Sequence, residues 1–281
     1  MISRMRKAES KATVERLCGL LELPVSTYYY RPVINIEMLN LELKAKEIFE
    51  DSFNTYGKRR MSNALKTEGF EVGFFQASTL MKRLMLVAKR PRKAHYYPVG
   101  QEKPTIPNRL ERHFNPSTLH THWVGDITFI RSHQGWSYLA TVMDLGSKEI
   151  VGYALSQTPD AELAKKALTN AVAKHQPKTQ GLMFHSDQGV QYCAKSFQQS
   201  LIDHGMIQSM SRRGCCWDNA VQERFFRNLK TEYLNDLTFI NHQSVVSAVD
   251  KYIHFYNNKR LNSAVDYLTP AEKRQKLLNA A

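Results

Sequence analysis

The first third of the chain places its apolar residues at the spacing of helices. Apolar side chains near the start recur at intervals of three and four residues: Val14, Leu17, Cys18 and Leu21. This spacing predicts a short amphipathic helix, which Pro24 ends. Three further helical stretches are predicted between residues 41 and 88, because turn residues interrupt the pattern at 56–57 and at 69–73.

Beyond residue 117 the pattern becomes that of strands. Three segments rich in β-branched and aromatic residues, separated by turns, predict an antiparallel meander: HWVGDITFIRS, GWSYLATVMDL and KEIVGYALS. The predicted elements that follow are a helix at 161–175, a strand GLMFHSD, a helix AKSFQQSLIDHG, a strand IQSMS and a long helix at 218–234. This order predicts an α/β domain of the ribonuclease H-like class, a mixed five-stranded sheet with helices. Element order alone fits other folds as well.

A proline-rich, basic segment separates the two patterns. Residues 89–117 contain five prolines, which exclude a continuous helix or a central strand there. We therefore predict three parts: a small all-α region at 1–88, a linker at 89–117 and the ribonuclease H-like domain at 118–281.

The net charge narrows the class of partner. The chain has 39 Lys and Arg against 26 Asp and Glu, a net charge of +13. This excess favours a polyanion, with nucleic acid first and an anionic membrane surface second. Basic residues at the ends of the short helices favour a helix-turn-helix-like DNA-binding unit at 1–88, although a helical bundle with a solvated basic surface has the same pattern.

The chain shows no pattern of a membrane or secreted protein. No apolar run approaches the ~20 residues that a membrane-spanning helix needs. The first residues, MISRMRKAESKATVERL, contain no continuous apolar stretch of the signal-peptide kind. We therefore expect a soluble, cytoplasmic protein.

Three carboxylates stand where the predicted domain could bring them together. Asp126 lies in the first predicted strand of that domain, Asp187 ends the fourth, and Glu223 lies in the long helix. Carboxylates in such places can converge on two divalent cations, which clamp the attacking and leaving oxygens of a phosphodiester displacement. Hard oxygen ligands suit Mg²⁺ or Mn²⁺. Their spacing carries little weight by itself, because the chain has 26 acidic residues.

The sequence around these carboxylates is more specific. The strings are HWVGDITFI, HSDQGVQY and SMSRRGCCWDNAVQERFFRNLKTE, followed by YIHFYNNKRLNSAVDYLTPAE. Together they resemble the DDE transposases of bacterial insertion sequences. More narrowly, they resemble the second-frame (OrfB) product of the large copy-out/paste-in family, which transposes through a copied-out DNA circle and whose catalytic domain is similar to that of retroviral integrases. The resemblance runs from about residue 40 to the C-terminus.

The resemblance implies a function and a set of site residues. Asp126, Asp187 and Glu223 would be the catalytic, metal-binding triad, with two Mg²⁺ or Mn²⁺ ions, and Lys230 the basic residue seven positions after the glutamate. The implied activity is metal-dependent DNA cleavage and strand transfer at the ends of an insertion element. The implied partners are the element's terminal repeats and target DNA, a first-frame protein or a frameshift fusion with it, and further copies of the chain on bacterial nucleoid DNA.

Helix geometry supports these roles independently. At about 100° per residue, Asn219, Glu223, Arg227 and Lys230 share one helix face. Lys230, Arg227 and Asn219 are therefore the predicted DNA-binding residues of the site. An ion pair between Glu223 and Arg227 on a solvated helix is the alternative. The opposite face, with Phe225, Phe226 and Leu229, is predicted to be core.

Several other residues near these motifs have simpler interpretations. Asp144 precedes a glycine-containing turn and is predicted to form that turn rather than bind metal. His185 is predicted to be a packed, hydrogen-bonded histidine. The tryptophans at 123, 136 and 217 are predicted to be core or loop anchors rather than base-stacking platforms. In the C-terminal helix the aromatic residues at 252, 255 and 256 are predicted to pack, and the segment 257–260 could hold phosphate.

Two other classes of function fit some of these features. A metal-dependent nuclease or resolvase on the same fold would cut DNA without joining it, and the family motifs argue against that class. A catalytically idle DNA-binding regulator would keep the basic region and lose the triad, and the intact carboxylates argue against that one. The DNA that flanks the gene discriminates among them, because only a transposase predicts terminal inverted repeats.

Overall fold

Residues 13–30, 35–90, 106–212 and 215–280 are described by the computed structural model of this chain. Contacts divide the chain into two units, one ending at Lys44 and the other beginning at Ala45. The long second unit contains every strand described below. The predicted boundaries at 88 and 117 stay a prediction, and the part of the predicted linker at 91–105 lies outside the described residues.

Short helices form the first part of the chain, as predicted. Their bounds are α1 (Val14–Leu20), α2 (Val25–Tyr29), α3 (Ile36–Asp51), α4 (Lys58–Thr67) and α5 (Phe74–Arg83). Thr13 caps α1, because its hydroxyl accepts a hydrogen bond from the N–H of Arg16. The apolar face of α1 buries Val14, Leu17 and Cys18. Helices α4 and α5 contact each other, joined by a short connection that includes Gly69 with a φ of 87°.

A five-stranded mixed sheet is the centre of the second unit. Its strands are β1 (His122–Ser132), β2 (Gly135–Asp144), β3 (Ile150–Ser156), β4 (Met183–Ser186) and β5 (Ile207–Met210), in the order β3-β2-β1-β4-β5. The first three strands form the antiparallel meander that the sequence predicts. Strand β4 pairs in parallel with both β1 and β5. This arrangement confirms the predicted ribonuclease H-like α/β class.

Helices cover both faces of the sheet. They are α6 (Ala161–His175), α7 (Val190–Cys193), α8 (Lys195–Asp203), α9 (Ala220–Glu232), α10 (His242–Asn258) and α11 (Pro270–Leu278). Neighbouring residues of β1 enter different cores, because side chains alternate across a strand. Trp123 packs with α6 and α8, whereas Val124 packs with α9 and α10. The sheet is therefore a buried layer with α9 fixed against one face.

The long helix that carries Glu223 begins later than its sequence predicts. A 3₁₀ turn at Cys216–Asn219 precedes α9, which starts at Ala220 rather than near residue 218. Asp218 explains the difference, since its buried carboxylate accepts hydrogen bonds from the side chains of Asn108, Arg112 and Arg212. These contacts hold the turn against distant segments and keep it out of the helix.

Part of the predicted linker packs on the sheet. The N–H groups of Arg109 and Leu110 donate to the hydroxyl of Ser209 in β5. The Leu110 side chain is buried in the core that contains α9 and α10. Residues 109 and 110 therefore pack against the sheet of the second unit.

Candidate active site

Strand register places two of the predicted carboxylates side by side. The parallel pairing of β1 with β4 ends at Val124 opposite His185. Asp126 follows Val124 by two residues in β1, and Asp187 follows His185 by two residues at the end of β4. Parallel neighbouring strands lie about 4.8 Å apart, so this register brings the two carboxylates together at the carboxyl end of β4.

The third carboxylate reaches the same place from α9. Glu223 lies in the first turn of this helix, and its neighbour Gln222 is buried against the sheet. The Gln222 amide donates to the hydroxyl of Thr141 at 2.7 Å. Thr141 is the β2 partner of Asp126 in the strand register. This hydrogen bond fixes the start of α9 over the middle of β1 and so places Glu223 near Asp126.

Charge effects show that the three carboxylates share one poorly solvated place. Loss of solvent and then the charge of Asp187 raise the pKa of Asp126 to about 8, and the charge of Glu223 adds to the rise. The pKa of Glu223 is raised by loss of solvent and by the charge of Asp187. Loss of solvent also raises the pKa of Asp187, against a hydrogen bond from the Gly189 N–H. The charge of Asp187 therefore acts on both Asp126 and Glu223.

The backbone beside Asp126 is packed too closely to accept a side chain. A Cβ at Gly125 would lie 2.4 Å from the Cζ atom of Phe184, whose ring is buried in the core. The Asn219 amide donates to the Gly125 carbonyl at 3.5 Å. The glycine therefore allows β1 and β4 to approach where Asp126 and Asp187 must meet.

The predicted DNA-binding residues occupy different environments. Lys230 is close enough to Asp126 for their charges to interact, and loss of solvent lowers its pKa against that attraction. Arg227 is exposed on the same helix. Asn219 is only 4% exposed, and its Oδ1 atom has no hydrogen-bond partner among the described residues. The DNA contacts of all three residues stay a prediction.

The donor chemistry of the triad fits a divalent cation. As they stand, no three His, Cys, Asp or Glu side chains within the described ranges are arranged to hold a metal ion. The carboxylates of Asp126, Asp187 and Glu223 nevertheless offer hard oxygen donors. Burial and then the charges of Asp187 and Glu223 raise the pKa of Asp126, and a divalent cation held there would offset both effects.

Two neighbouring residues have the structural roles that the sequence predicts. His185 is buried, and its ring nitrogens lie 2.8 Å and 3.0 Å from the hydroxyls of Ser209 and Ser211. Burial lowers the pKa of His185 to about 4, so the ring is neutral at physiological pH. Asp144 accepts hydrogen bonds from the N–H and the hydroxyl of Ser147, which confirms it as a turn residue.

Of the three tryptophans predicted to be core or loop anchors, Trp123 is a core residue and the other two are not. Trp123 is fully buried, whereas Trp136 is 41% and Trp217 is 61% exposed. The predicted packing of the C-terminal aromatic residues is confirmed, since all three are buried: Tyr252, Phe255 and Tyr256. The segment 257–260 is partly internal, because the side chains of Asn257 and Arg260 bond the Ile150 backbone and Glu232. Those two side chains are not available to phosphate.

Family comparison agrees with the fold and the place of the site. The "Integrase core domain" family matches residues 117–216 and 223–278, and the "HTH-like domain" family matches residues 36–94. The chain is 37% identical to the "Insertion element IS600 uncharacterized 31 kDa protein" of Shigella sonnei, over 85% of this chain and 88% of that protein. It is 34% identical to the "Putative transposase InsK for insertion sequence element IS150" of Escherichia coli, over 93% of both chains.

Other relatives and a solved structure extend this comparison. "Transposase InsF for insertion sequence IS3A" of Escherichia coli is 35% identical, over 82% of this chain and 80% of the relative. The cryo-EM structure of the simian T-cell lymphotropic virus intasome with the PP2A regulatory subunit B56 gamma contains a chain that compares with this one at a TM-score of 0.49. The sequences are 16% identical, over 76% of this chain and 70% of that one. Within the described residues, none of the helices has the length and hydropathy needed to cross a membrane.

Proposed function

Because the chain belongs to the family of bacterial insertion-sequence transposases with an integrase core, we propose that Asp126, Asp187 and Glu223 are its catalytic, metal-binding residues. The observation that supports this assignment is the strand register that brings Asp126 beside Asp187, together with the effect of the Asp187 charge on the pKa values of Asp126 and Glu223. The enzyme is a DDE-type polynucleotidyl transferase that acts on DNA. The basic HTH-like region contributes DNA binding.

The reaction has two steps: a phosphodiester is first hydrolysed, and one phosphodiester is then exchanged for another. Water attacks the phosphodiester at the element end, and the bond to the departing strand breaks to leave a free 3′-hydroxyl. That hydroxyl then attacks a second phosphodiester, forming one new phosphodiester as another breaks. Because the number of phosphodiesters is unchanged in the second step, joining needs no energy-rich cofactor.

The carboxylates would bind Mg²⁺ or Mn²⁺, with two ions in the complete site. Such ions supply activation of the attacking oxygen and stabilisation of the leaving oxygen. The chain's own residues orient the reacting groups: Gly125 allows β1 to approach β4, and Gln222 holds Glu223 over the sheet. Arg227, which is exposed, and the half-buried Lys230 bind DNA phosphates next to the carboxylates. Asn219 lies beside Gly125 and presents its amide to the same end of the site.

The proposal also names the specific DNA sites and the protein partners of the enzyme. The enzyme acts on the terminal repeats of its element and on target DNA in the bacterial nucleoid. It works as an oligomer on DNA, with a first-frame protein as partner or fused to it by frameshift. A nuclease on the same fold would release cut ends alone, so the presence of joined strand-transfer products separates the two activities.

Metal binding is expected to change the stability of the wild-type chain. Mg²⁺ at about 100 times its dissociation constant should stabilise the folded state by roughly 2.7 kcal/mol, because the unfolded chain lacks the site. Asp126→Asn should lose most of this rise in melting temperature, whereas Glu162→Gln, at an exposed carboxylate of α6, should keep it. Thermal unfolding with Mg²⁺ and with EDTA measures both. An equal Mg²⁺ effect in Asp126→Asn and wild type would exclude Asp126 from the metal site.

In the metal-free protein, the negative charge of Asp126 is expected to lower the free energy of unfolding. The pKa of Asp126 rises from 3.8 to about 8 on folding, so the wild-type chain loses stability as the pH increases across that window. Asp126→Asn carries no such charge and should be the more stable protein in EDTA, by an amount that grows from pH 4 to pH 8. Chemical unfolding at several pH values tests the sign. A difference that shrinks with rising pH would contradict it.

Lys230 is expected to act through phosphate rather than through base identity. Lys230→Ala should weaken binding of element-end and unrelated DNA to a similar extent, and the slope of log affinity against log salt should fall by roughly one. Lys195→Ala, an exposed lysine of α8 on the other face of the sheet, should leave the slope unchanged. Fluorescence anisotropy between 50 and 200 mM salt gives both slopes. An unchanged slope for Lys230→Ala would place this lysine outside the DNA contact.

A further inference from the structure

Two large aromatic rings lie exposed on the β1–β2 hairpin close to the carboxylates. Phe129 is 56% and Trp136 is 41% exposed. Their ring centroids are 5.3 Å apart at an interplanar angle of 84°, an edge-to-face pair. By contrast, the aromatic side chains of Trp123 and Phe184 on the same sheet are buried. Two exposed aromatic rings in contact are candidates for a binding surface when charged groups accompany them.

Cations accompany both rings. The guanidinium of Arg131 lies 5.1 Å from the Trp136 ring centroid. The ammonium of Lys230, which comes from α9, lies 4.8 Å from the centroid of Phe129. Aromatic rings with flanking cations are the combination that binds single-stranded nucleic acid, since the rings stack on bases and the cations hold phosphates. We call Phe129, Arg131, Trp136 and Lys230 the hairpin surface.

The hairpin surface lies a short distance from the reacting phosphate. Phe129 follows Asp126 by three positions in β1, so the two side chains leave opposite faces of the strand, about 10 Å apart along it. Lys230 connects the two places, because it interacts with the charge of Asp126 and also lies over Phe129. One DNA strand advances about 3.4 Å per base in a duplex. The separation therefore corresponds to about three nucleotides.

We propose that Phe129 and Trp136 form a stacking platform for an unpaired nucleobase of the DNA end, within about three nucleotides of the phosphate that reacts at the carboxylates. The proposal rests on the active site proposed above. The base must be unpaired, because bases inside a duplex are already stacked and present only their edges in the grooves. Opening the last base pairs would also expose the strand that the carboxylates must reach.

The charge of the hairpin surface favours DNA over a protein partner. Arg131 and Lys230 place two cations at the rings, and the chain as a whole carries +13. The same surface of a second copy would bring the same two cations against these and would be repelled, so copies of the chain would have to associate through other surfaces. Ile240 offers a way to separate the two partners, because it is 66% exposed and its carbonyl accepts a hydrogen bond from Gln134 at the hairpin tip. A protein interface there would use this aliphatic side chain, whereas base stacking would not.

The test uses the full-length chain and a duplex of the element's terminal repeat with its flanking nucleotides. Each of the four nucleotides nearest the reacting phosphate is replaced in turn by 2-aminopurine, whose fluorescence is quenched on stacking. All measurements use the Asp126→Asn background, so that the DNA stays intact. The variants are Phe129→Ala, Trp136→Ala, the ring-preserving Trp136→Phe and the control Ile240→Ala. Circular dichroism and thermal unfolding verify the fold of each one.

The platform predicts a quenched position that depends on the rings. Quenching at one flanking position should disappear in Phe129→Ala and Trp136→Ala and persist in Trp136→Phe and Ile240→Ala. The affinity of the two Ala variants for the opened end should fall about 5- to 150-fold, the effect of losing one base stack. Undiminished quenching in both Ala variants would overturn the proposal. Loss of self-association in Phe129→Ala and Ile240→Ala, with quenching retained, would overturn it in favour of a protein interface.

The role of Asp126 in catalysis is tested independently of the stacking platform. Strand transfer by Asp126→Asn in Mg²⁺ would remove Asp126 from catalysis, whereas the quenching pattern is measured without any reaction. A ring-dependent quench together with an active Asp126→Asn protein would keep the stacking platform and reassign the reacting phosphate.

Discussion

Asp126→Asn, Asp187→Asn and Glu223→Gln are each expected to reduce DNA cleavage and strand transfer at least about 10³-fold, because residues that act as a unit fail together. Each substitution keeps the size of the side chain and removes its negative charge. The fold should survive, since the metal-free carboxylates repel one another and their pKa values are raised. Gel assays of 3′-end cleavage and joining with Mg²⁺ measure the loss, and anisotropy measures DNA binding, which should stay within a few-fold of wild type.

The control for this series is a carboxylate remote from the site. Glu162→Gln changes an exposed side chain of α6, which packs on the opposite face of the sheet from α9. Its cleavage and joining rates should equal those of the wild type. Wild-type joining by any one of the three site variants would exclude that residue from the triad. Parallel loss of DNA binding would indicate misfolding rather than lost catalysis.

Arg260→Met is expected to destabilise the second unit by about 3–5 kcal/mol, because it leaves a buried carboxylate without its counter-ion. Arg260 donates two hydrogen bonds to Glu232, at 2.6 Å and 2.7 Å, and the Tyr252 hydroxyl donates a third at 2.7 Å. Glu232 is the last residue of α9, the helix that carries Glu223. The ion pair therefore holds the C-terminal end of that helix to α10. The midpoint and slope of urea unfolding give the change in free energy.

A double variant distinguishes the loss of the ion pair from the cost of leaving one buried charge without its partner. Glu232→Met combined with Arg260→Met removes both charges and should recover much of the stability lost in Arg260→Met. A double variant no more stable than the single one would indicate that packing, not charge, is lost.

Acid should weaken the same ion pair. Burial alone would raise the pKa of Glu232, but the charge and hydrogen bonds of Arg260, with the Tyr252 hydrogen bond, hold it below 4.5. The stability that this pair contributes is therefore complete above pH 4.5 and is lost as the pH falls through the lower folded value. Arg260→Met should depend less on pH than wild type in that range. A steeper acid dependence in the variant would contradict this assignment.

Local pattern and family motifs predict most of the catalytic domain. Segments rich in β-branched and aromatic residues between turn residues identify β1, β2 and β3, although both faces of the sheet are covered and apolar and polar residues do not alternate regularly. The motifs around Asp126, Asp187 and Glu223 identify the site before any contact is known. The start of α11 also carries a local pattern, a Thr269–Glu272 capping box with Pro270 in the first turn, that is sufficient to predict where this helix begins.

Long-range contacts account for what the sequence could not predict. The 3₁₀ turn before α9 depends on Arg112, which lies 106 positions before the Asp218 carboxylate that it binds. The packing of Leu110 makes part of a proline-rich segment structural, although its composition is typical of a linker. The exposure of Trp136 also follows from tertiary structure, since the hairpin tip lies beyond the helices that bury Trp123. None of these features has a local pattern.

The central claim is that Asp126, Asp187 and Glu223 together hold the catalytic metal, and it can be tested by cutting the protein itself. Fe²⁺ replaces Mg²⁺, and ascorbate with peroxide generates hydroxyl radicals that cleave the backbone nearest the ion. Peptide mapping of the full-length chain is expected to show cuts around 125–127, 186–188 and 222–224 that excess Mg²⁺ suppresses and that Asp126→Asn removes. Cuts confined to other segments, or cuts at these positions that persist in Asp126→Asn and in excess Mg²⁺, would contradict the assignment.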